Sequence, residues 1–292
     1  MDGYIVGIGE VLWDVFPTGK KLGGAPANFA YHVSQFGLCG LAVSAVGRDE
    51  LGEETVSALS EHGLNFHIDR VEEPTGTVQV TLDGNGIPQY EIKTGVAWDN
   101  IPYTKELAEI ASQTKAVCFG SLAQRSPVSK KTIGWFLDAV PEDCLKVFDI
   151  NLRQQFYSEE VLEASMNKAD ILKINEEEIV VVAKLFGIPG TGYEEISRRL
   201  AEMFKLKMLI LTCGAVGSYV FHDGGVSYIE TPKVKVADTV GAGDSFTGAF
   251  VASILSGKTV EEAHRIAVQV SAYVCTQTGA MHSNIRSSGW FD

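Results

Sequence analysis

Short apolar runs alternate with amphipathic stretches along most of this chain. The runs that predict strands lie at residues 4–9, 41–46, 116–120, 146–150, 171–174 and 208–211. The later runs are apolar throughout, which is typical of parallel strands that are covered on both faces. The pattern therefore predicts an α/β fold: a doubly wound, mostly parallel sheet flanked by helices.

The expected helices have readable ends. Proline is favoured in the first turn of a helix and glycine just after its end, so Pro26 and Gly37 should bracket the helix that follows the first strand. Asp49 should cap a helix that Gly63 ends, and Ser158 should cap another. Asp and Ser are suited to this position because their side chains accept hydrogen bonds from the free N–H groups of a first turn.

One region departs from the alternation of strand and helix. Residues 77–82 alternate strictly between apolar and polar, and the alternation resumes at 89–93. Between them, residues 83–86 (Asp-Gly-Asn-Gly) are a strong hairpin signal. An antiparallel hairpin with one apolar face does not belong inside a parallel sheet, so we predict a small separate β-sheet in which residues 12–16 form a further strand.

This small sheet suggests a lid over a site. We expect the chain, 1–292, to be a single domain with an inserted lid formed by about residues 12–22 and 75–98. The alternative is an edge hairpin that covers core. The apolar face or the edges of such a lid would also suit pairing with a second subunit, so a homodimer through the lid is a further expectation.

Composition and charge narrow the classes of partner. The 292 residues include 37 acidic and 24 basic side chains, giving a formal net charge of −13. Such a surface repels nucleic acid and anionic lipid, so we expect neither as a partner, and no apolar run approaches the roughly 18 residues that cross a membrane. The five cysteines show no C-x-x-C spacing, and the N-terminus shows no signal-peptide pattern. Both features favour a reducing, cytoplasmic location.

The strongest chemical signal is the run Asp238-Thr-Val-Gly-Ala-Gly-Asp244-Ser-Phe. It lies between a strand-like run at 234–236 and a predicted helix at about 244–255. The start of a helix carries partial positive charge and free N–H groups, which suit a phosphate or a developing negative charge.

Within this run, the N–H groups of Gly241, Ala242 and Gly243 are expected to turn toward one point. Asp244 adds a carboxylate at the edge of the same pocket, and the positive end of the helix should keep it ionised near pH 7. A carboxylate base beside an anion hole suits phosphoryl transfer to an alcohol, because the base takes the alcohol proton while the amides hold the transferring group. The alternative is an Asp that caps a helix after a glycine turn.

Polar clusters follow two of the predicted strands. Asp149 and Arg153 come after one strand, and Asn175 and Glu178 come after the next. The carboxyl ends of strands line one crevice in a doubly wound sheet, and oxygen ligands there suit Mg²⁺ held through water. For Asn175 and Glu178 the alternative is a capping box, and for Asp149 and Arg153 it is a surface pair.

Two glycine-rich turns complete the candidate chemistry. The run Gly23-Gly24-Ala-Pro-Ala-Asn28, with Asp14 upstream, offers paired acceptors and donors that suit a polyol. Its alternative is a structural glycine turn. The segment at 211–218 (Leu-Thr-Cys-Gly-Ala-Val-Gly-Ser) ends an apolar strand in a turn that a nucleotide can approach closely, with a plain β-turn as the alternative. A Walker A loop, the dinucleotide fingerprint and H-E-x-x-H are absent from the sequence.

In order and spacing, these motifs resemble the ribokinase-like (phosphofructokinase-B type) sugar kinases over essentially the whole chain. The resemblance rests on Gly23-Gly-Ala-Pro-Ala-Asn28, on Gly47-Arg-Asp-Glu-Leu-Gly52 and above all on the motif at 238–246. It implies a ribokinase-like fold and ATP-dependent phosphorylation of a sugar hydroxyl.

Within that family, two runs look most like fructokinases: Gly95-Val-Ala-Trp98-Asp99 and Asp149-Ile-Asn-Leu-Arg153. They imply that the substrate is a free hexose, with fructose converted to fructose 6-phosphate. The substrates implied are therefore ATP and a small sugar, with Mg²⁺ as cofactor.

The resemblance also implies roles for individual residues. The catalytic set, with Asp244 as general base, is Asp244, Gly241, Ala242, Gly243 and Arg153. The sugar-binding set is Asp14, Gly23, Gly24, Asn28, Trp98 and Arg125. The nucleotide-binding set is Asn175, Thr212, Gly214 and Gly217, and Mg²⁺ is held by Asn175 and Glu178 through water. Many members also bind a monovalent cation such as K⁺, which here would lie near Asp238, Val240, Val274, Gly279 and Ser283.

Other functions stay open from the sequence. Arg125 stands close to where ribokinases place an acidic sugar contact, which weakens ribose as the substrate. A family kinase for ribose, ketodeoxygluconate or a nucleoside is the first alternative. A non-catalytic sugar or nucleotide sensor on the same scaffold is the second, and a plain α/β binding protein is the third.

Overall fold

The structure is a computed structural model that describes residues 3–82, 88–190 and 192–282. Its strands are β1 Tyr4–Ile8, β2 Leu12–Phe16, β3 Gly19–Gly23, β4 Gly40–Gly47, β5 Asn65–Val71, β6 Gly76–Leu82, β7 Pro88–Ile92, β8 Thr114–Phe119, β9 Leu145–Asp149, β10 Ile171–Asn175, β11 Met208–Cys213, β12 Gly217–His222 and β13 Gly225–Glu230. Its α-helices are α1 Ala25–Ser34, α2 Glu50–Glu61, α3 Lys105–Ser112, α4 Pro127–Ala139, α5 Glu159–Lys168, α6 Glu176–Leu185, α7 Tyr193–Phe204, α8 Ala242–Leu255 and α9 Val260–Cys275. Short 3₁₀ helices lie at Ala97–Asn100 and Leu122–Arg125.

The main sheet has nine strands in the order β13-β12-β11-β10-β9-β8-β1-β4-β5. All neighbouring pairs from β11 across to β5 are parallel. Only the pairs β11–β12 and β12–β13, at one edge, are antiparallel. The predicted α/β fold with a mostly parallel sheet is therefore confirmed, and the carboxyl ends of the parallel strands form one edge on which polar residues can meet.

Helices cover both faces of this sheet. Ile5 packs into a core cluster that contains Phe29 of α1 and Phe250 of α8. The next residue, Val6, packs into a second cluster that contains Phe136 of α4 and Ile179 of α6. Because successive side chains of a strand point to opposite faces, the two-sided cover explains why these strands are apolar throughout. In the described part of the chain, no helix has the length and apolar character that crossing a membrane requires.

The predicted helix ends are confirmed where the structure describes them. The carboxylate of Asp49 accepts a 2.8 Å hydrogen bond from the N–H of Gly52, and the hydroxyl of Ser158 accepts one from Val161. Gly37 and Gly63 follow their helices with φ of +76° and +65°, a conformation that favours glycine.

The predicted strand at 234–236 is wrong. Residues 231–237 contain no strand, and Val236 is exposed. The segment is instead attached to the end of α9, since the N–H groups of Ala237 and Asp238 both donate to the carbonyl of Cys275. The alternation of valine and lysine at 233–236 therefore belongs to a segment on the surface, and the following helix starts at Ala242, two residues before the predicted start.

A second sheet has four strands in the order β3-β2-β6-β7, as predicted from the alternation at 77–82 and 89–93. The predicted turn at 83–86 lies outside the described residues. Val78, Val80 and Ile92 form the apolar face, and all three are buried in the same core cluster as Trp98. This face already has its partner within the chain, and pairing of two subunits through the lid stays a prediction.

Candidate active site

Asp244 lies in the first turn of α8, which brings its carboxylate to the carboxyl end of the main sheet. It lines a small cavity together with Glu10, Asp149, Asn151 and the apolar side chain of Phe29. These residues come from four separate parts of the chain, and the sheet topology brings them together. The cavity is therefore the candidate active site.

The surroundings of Asp244 set its acidity. Burial of the carboxylate raises its pKa to about 6, and repulsion from Asp149 adds to the rise. The side-chain amide of Asn28 opposes this by donating a 2.7 Å hydrogen bond to Oδ2, and the positive charges of Lys173 and Arg153 also lower the pKa. Asp244 is thus mostly ionised at pH 7, and it titrates close enough to neutrality to accept a proton efficiently.

Lys173 and Asp149 form a buried ion pair whose charges act on Asp244. Lys173 Nζ lies 2.9 Å from Asp149 Oδ1, and both side chains are about nine-tenths buried. The hydroxyl of Thr247 donates to the other carboxylate oxygen of Asp149 at 3.0 Å. Burial lowers the pKa of Lys173, but attraction to Asp149 and Glu178 more than offsets this and raises it. Lys173 is therefore a fixed positive charge beneath the cavity.

The turn at 241–243, which is expected to bind an anion, is present, but one of its three N–H groups already has a partner. Gly241 has φ of +76°, and a Cβ there would lie 2.5 Å from the Cβ of Ala280, so this position requires glycine. The N–H of Ala242 donates to the carbonyl of Thr239 at 3.2 Å. Of the three expected N–H groups, those of Gly241 and Gly243 have no hydrogen-bond partner among the described residues.

The positive charge of Lys173 lies directly against this turn. A Cβ placed on Gly243 would be only 3.1 Å from Lys173 Nζ. The turn therefore combines the free N–H groups of a helix start with a nearby buried ammonium, and both features favour an anion.

The residues of the candidate sugar side lie on β2, β3 and the start of α1. A Cβ on Gly23 would be 2.8 Å from the carboxylate of Asp14, and a Cβ on Gly24 would be 2.3 Å from the carbonyl of Glu10. At Gly24 the backbone packs too closely for any larger residue, whereas at Gly23 the near neighbour is the Asp14 side chain. Asn28 is buried, and its Oδ1 atom has no hydrogen-bond partner in the described part of the chain.

Trp98 and Arg125 form one cluster with Asp99 and Phe156. The guanidinium of Arg125 lies over the rings of Trp98, at 3.9 Å, and Phe156, at 4.5 Å. Asp99 accepts from Arg125 at both carboxylate oxygens, at 2.8 and 2.9 Å. Nη1 of Arg125 and Nε1 of Trp98 are buried without a partner among the described residues. The cluster thus contains two N–H donors that have no hydrogen-bond partner among the described residues.

Arg153 is exposed in the loop after β9, two residues beyond Asn151, which lines the cavity. Two non-glycine residues of this loop, Asn151 and Gln154, have φ of +45° and +50°. Such backbone conformations are unfavourable for ordinary residues and are concentrated at functional sites. The guanidinium is near enough to lower the pKa of Asp244, so Arg153 contributes positive potential to the cavity.

Asn175 and Glu178 form the capping box that the sequence left open as an alternative. The side chain of Asn175 accepts from the N–H groups of Glu177 and Glu178, and Glu178 accepts from the N–H of Asn175. The second oxygen of Glu178 accepts from the N–H of Leu152 at 2.9 Å. Each carboxylate oxygen keeps a further lone pair, so Glu178 fits a role as acceptor for water bound to Mg²⁺.

The candidate nucleotide turn follows β11. Thr212 is paired in register with Asn175 on the neighbouring strand, so both lie at the same edge of the sheet. Gly214 has φ of +48°, and its carbonyl accepts from the hydroxyl of Thr231. Gly217 starts β12 and packs against Tyr228 and Ile229. The turn therefore lies beside the strand end that carries Asn175.

Among the described residues expected near a monovalent cation, Asp238 already has other contacts, and a site for K⁺ stays a prediction. One carboxylate oxygen of Asp238 accepts from the N–H of Val240, and the other accepts from the N–H of Gly279 and from Lys21 Nζ at 3.3 Å. Burial alone would raise the pKa of Asp238, but these hydrogen bonds lower it. The ammonium of Lys21 already supplies a positive charge here, and no step below depends on K⁺.

Val274, a further residue of the expected cation set, contributes no side-chain ligand. The side chain of Val274 is fully buried and apolar, and its carbonyl accepts from the N–H of Gln277. Ser283 lies outside the described residues.

Sequence reasoning missed Glu10 and gave no role to Lys173. Lys173 carried a signal, because a lysine inside an apolar parallel strand has to find a buried partner. Glu10 carried a weaker signal, as a lone carboxylate after the first strand and before more apolar residues. In the described residues no group of three or more metal-ligating side chains forms a direct metal site.

The fold and this site together define a class of enzyme. A crevice at the carboxyl ends of parallel strands, a helix-start anion site and a carboxylate poised to take a proton are the parts of a kinase that phosphorylates an alcohol. Residues 8–286 match the family described as pfkB family carbohydrate kinase. The chain therefore belongs to the pfkB family of carbohydrate kinases, and it is an ATP-dependent kinase as predicted.

The names of individual relatives of this chain refer to different kinases. The chain is 27% identical to an ATP-dependent 6-phosphofructokinase from Thermoanaerobacterium thermosaccharolyticum, covering 95% of this chain and 89% of that protein. It is 28% identical to a fructokinase from Klebsiella pneumoniae, over 88% and 85% of the two chains. Its fold is similar to that of a double-mutant fructokinase from Vibrio cholerae O395 bound to fructose, ADP and a potassium ion, with 26% identity, a TM-score of 0.80 and 97% and 96% of the chains covered.

Proposed function

We propose that this kinase transfers the terminal phosphoryl group of ATP to a hydroxyl of a free, neutral hexose, converting fructose to fructose 6-phosphate. The observation that carries the proposal is the position of Asp244 at the start of α8, where its carboxylate accepts a hydrogen bond from Asn28 of α1. Asp244 takes the proton of the sugar hydroxyl as the oxygen attacks phosphorus. The likeness to fructokinases supports the choice of sugar.

The negative charge that develops on the phosphoryl group is stabilised by groups already in place. The N–H groups of Gly241 and Gly243 donate to its oxygens, and Lys173 adds positive charge from below. Mg²⁺ bound with ATP neutralises phosphate charge, and Glu178 would hold it through water. Thr212, Gly214 and Gly217 would contact the nucleotide at the edge of the sheet, and Arg153 would contribute positive potential to the cavity.

The pairing of Arg125 with Asp99 favours a neutral sugar over a sugar acid. A sugar acid would need a positive charge to pair with its carboxylate, but Asp99 already neutralises the Arg125 guanidinium with two short hydrogen bonds. The uncommitted Nη1 of Arg125 and Nε1 of Trp98 suit hydroxyl oxygens instead. Asp14, at the other side of the glycine turn, would accept hydrogen bonds from sugar hydroxyls. The small sheet that contains β2 and β6 would act as a lid that excludes water from the phosphoryl transfer.

The test is sugar-dependent ADP release, measured by a coupled assay with ATP and Mg²⁺. Fructose, ribose, glucose and 2-keto-3-deoxygluconate are compared at equal concentrations. We expect kcat/KM to be highest for fructose, and the product to be identified as fructose 6-phosphate by NMR. A higher kcat/KM for 2-keto-3-deoxygluconate or ribose would overturn the choice of sugar, and absence of sugar-dependent ADP release would overturn the kinase proposal.

A further inference from the structure

Glu10 is a buried carboxylate that the mechanism above does not use. It follows β1 by two residues, its side chain is 3% exposed, and it lines the same cavity as Asp244. Its Oε2 atom has no hydrogen-bond partner within the described residues. Leaving a buried polar group unpaired is unfavourable, so a partner is expected when the site is filled.

The packing around Glu10 gives its carboxylate no structural task. The contact between Glu10 and the glycine turn is made by the main chain, since it is the carbonyl of Glu10 that lies against Gly24. The hydrogen bond that lowers the pKa of Glu10 comes from backbone at the same residue. Phe29 and Cys118 line the cavity beside it and contribute apolar surface. In such surroundings an ionised carboxylate is unfavourable unless it is protonated or finds a hydrogen-bond partner, and a ligand in the cavity could supply that partner.

Glu10 is also close to the groups assigned to the reaction. Burial raises its pKa to about 7, and the negative charge of Asp244 adds to the rise, while Arg153 and Arg125 lower it. These are the candidate base, Arg153 of the proposed catalytic set and Arg125 of the proposed sugar-binding set. Near neutral pH, Glu10 is present in both protonation states. A sugar hydroxyl can pair with either state, because it both donates and accepts.

We propose that Glu10 is a substrate-binding residue, whose Oε2 atom forms a hydrogen bond with a hydroxyl of the acceptor sugar beside the one that is phosphorylated. The inference rests on the proposed function. It extends the sugar side beyond the glycine turn: Glu10 and the unpaired Oδ1 of Asn28 would meet the sugar next to Asp244, while Arg125 and Trp98 would meet it through their uncommitted donors.

The test compares Glu10→Ala with Glu10→Gln, which keeps the shape and the ability to hydrogen-bond. Glu72→Ala is the matched control, since this carboxylate is highly exposed and pairs with Arg48. We expect Glu10→Ala to raise KM for fructose about 10- to 50-fold with KM for ATP changed less than about twofold, and Glu10→Gln to raise KM for fructose less than about fivefold. Thermal unfolding shows whether each variant is folded.

Fructose analogues that each lack one hydroxyl identify the partner. In the wild-type protein, one analogue should lose much more kcat/KM than the others, and in Glu10→Ala that difference should disappear. If folded Glu10→Ala binds fructose with unchanged KM, or loses the same factor on every analogue, the contact is refuted while the kinase proposal stands. If the wild-type protein shows no sugar-dependent ADP release at all, both proposals fail.

Discussion

Asn28 and Asp244 are joined by a 2.7 Å hydrogen bond although they lie 216 residues apart in the chain. The amide nitrogen of Asn28, in the first helix, donates to Oδ2 of Asp244, at the start of the eighth. The donor stabilises the ionised carboxylate and fixes its orientation. The acidity of the candidate base is therefore set partly by a residue of the glycine-rich turn near the N-terminus.

Removing this hydrogen bond should change the pH profile. Asn28 lowers the pKa of Asp244, so Asn28→Ala should raise it and move the acidic limb of kcat/KM from about pH 6 to higher pH. At pH 7 we expect kcat/KM to fall about tenfold, with part of the loss recovered at pH 8. The profile is measured by sugar-dependent ADP release, with Asn65→Ala, an exposed site, as control. A parallel loss at every pH would contradict the role in acidity.

The base itself is tested by Asp244→Asn, which keeps the size of the side chain and removes its ability to accept a proton. We expect kcat to fall about 10²- to 10⁴-fold with KM for sugar little changed. Asp223→Asn, at an exposed turn, serves as control. Turnover at the wild-type rate in Asp244→Asn would refute the assignment.

Burial of Glu10 makes stability depend on pH in a definite direction. Its pKa is raised from 4.5 to about 7 in the folded protein, so the folded state binds the proton more tightly than the unfolded state. The stability linked to this residue is full below about pH 4.5 and is lost as pH rises through 7. Glu10→Gln should therefore raise the free energy of unfolding at pH 8, by about 3 kcal/mol at most, and have little effect at pH 4.5.

Urea unfolding at the two pH values measures this difference, and Glu72→Gln is the exposed control. Since groups far from Glu10 titrate alike in the variant and the wild-type protein, the difference between them reports Glu10 together with its coupling to Asp244. A gain in stability that is equal at both pH values would show that the carboxylate is not held at a raised pKa.

The buried pair of Lys173 and Asp149 predicts a large loss on disruption. Lys173→Met leaves the Asp149 carboxylate buried without its ammonium, which typically costs about 3–5 kcal/mol. Lys207→Met removes a largely exposed partner of Asp170 and should cost less than about 1 kcal/mol. Both are measured by urea unfolding at pH 7. Equal losses for the two variants would contradict the importance of burial.

The contact between Lys21 and Asp238 predicts the response to monovalent cations. Because the ammonium of Lys21 already lies against Asp238, replacing K⁺ with tetramethylammonium should change kcat by less than about twofold. Initial rates at constant ionic strength measure this. Activation by K⁺ of more than about tenfold would show that the cation displaces Lys21, and Lys21→Ala would then retain or increase the activation.

Much of the site could be read from the sequence because its parts are local. The glycine turn before α8 and the caps at Asp49 and Ser158 depend on residues a few positions apart, and each is present in the structure. The strand expected at 234–236 was wrong for the opposite reason. A β-strand needs a neighbour to pair with, and the fold attaches this segment to the end of α9 instead.

The sequence by itself determined the layered α/β fold. Strands that are apolar throughout have to be buried on both faces of a sheet, and the amphipathic stretches between them form the helices that cover it. It also predicted which turn would bind an anion, because glycine and helix-start chemistry act over a few residues. Only the tertiary structure decided that Asn28 donates to Asp244, that Asp99 neutralises Arg125, and that Glu10 faces the cavity. Acidity and pairing depend on burial and on charges brought together from distant parts of the chain, and these distances are fixed only when the sheet has formed.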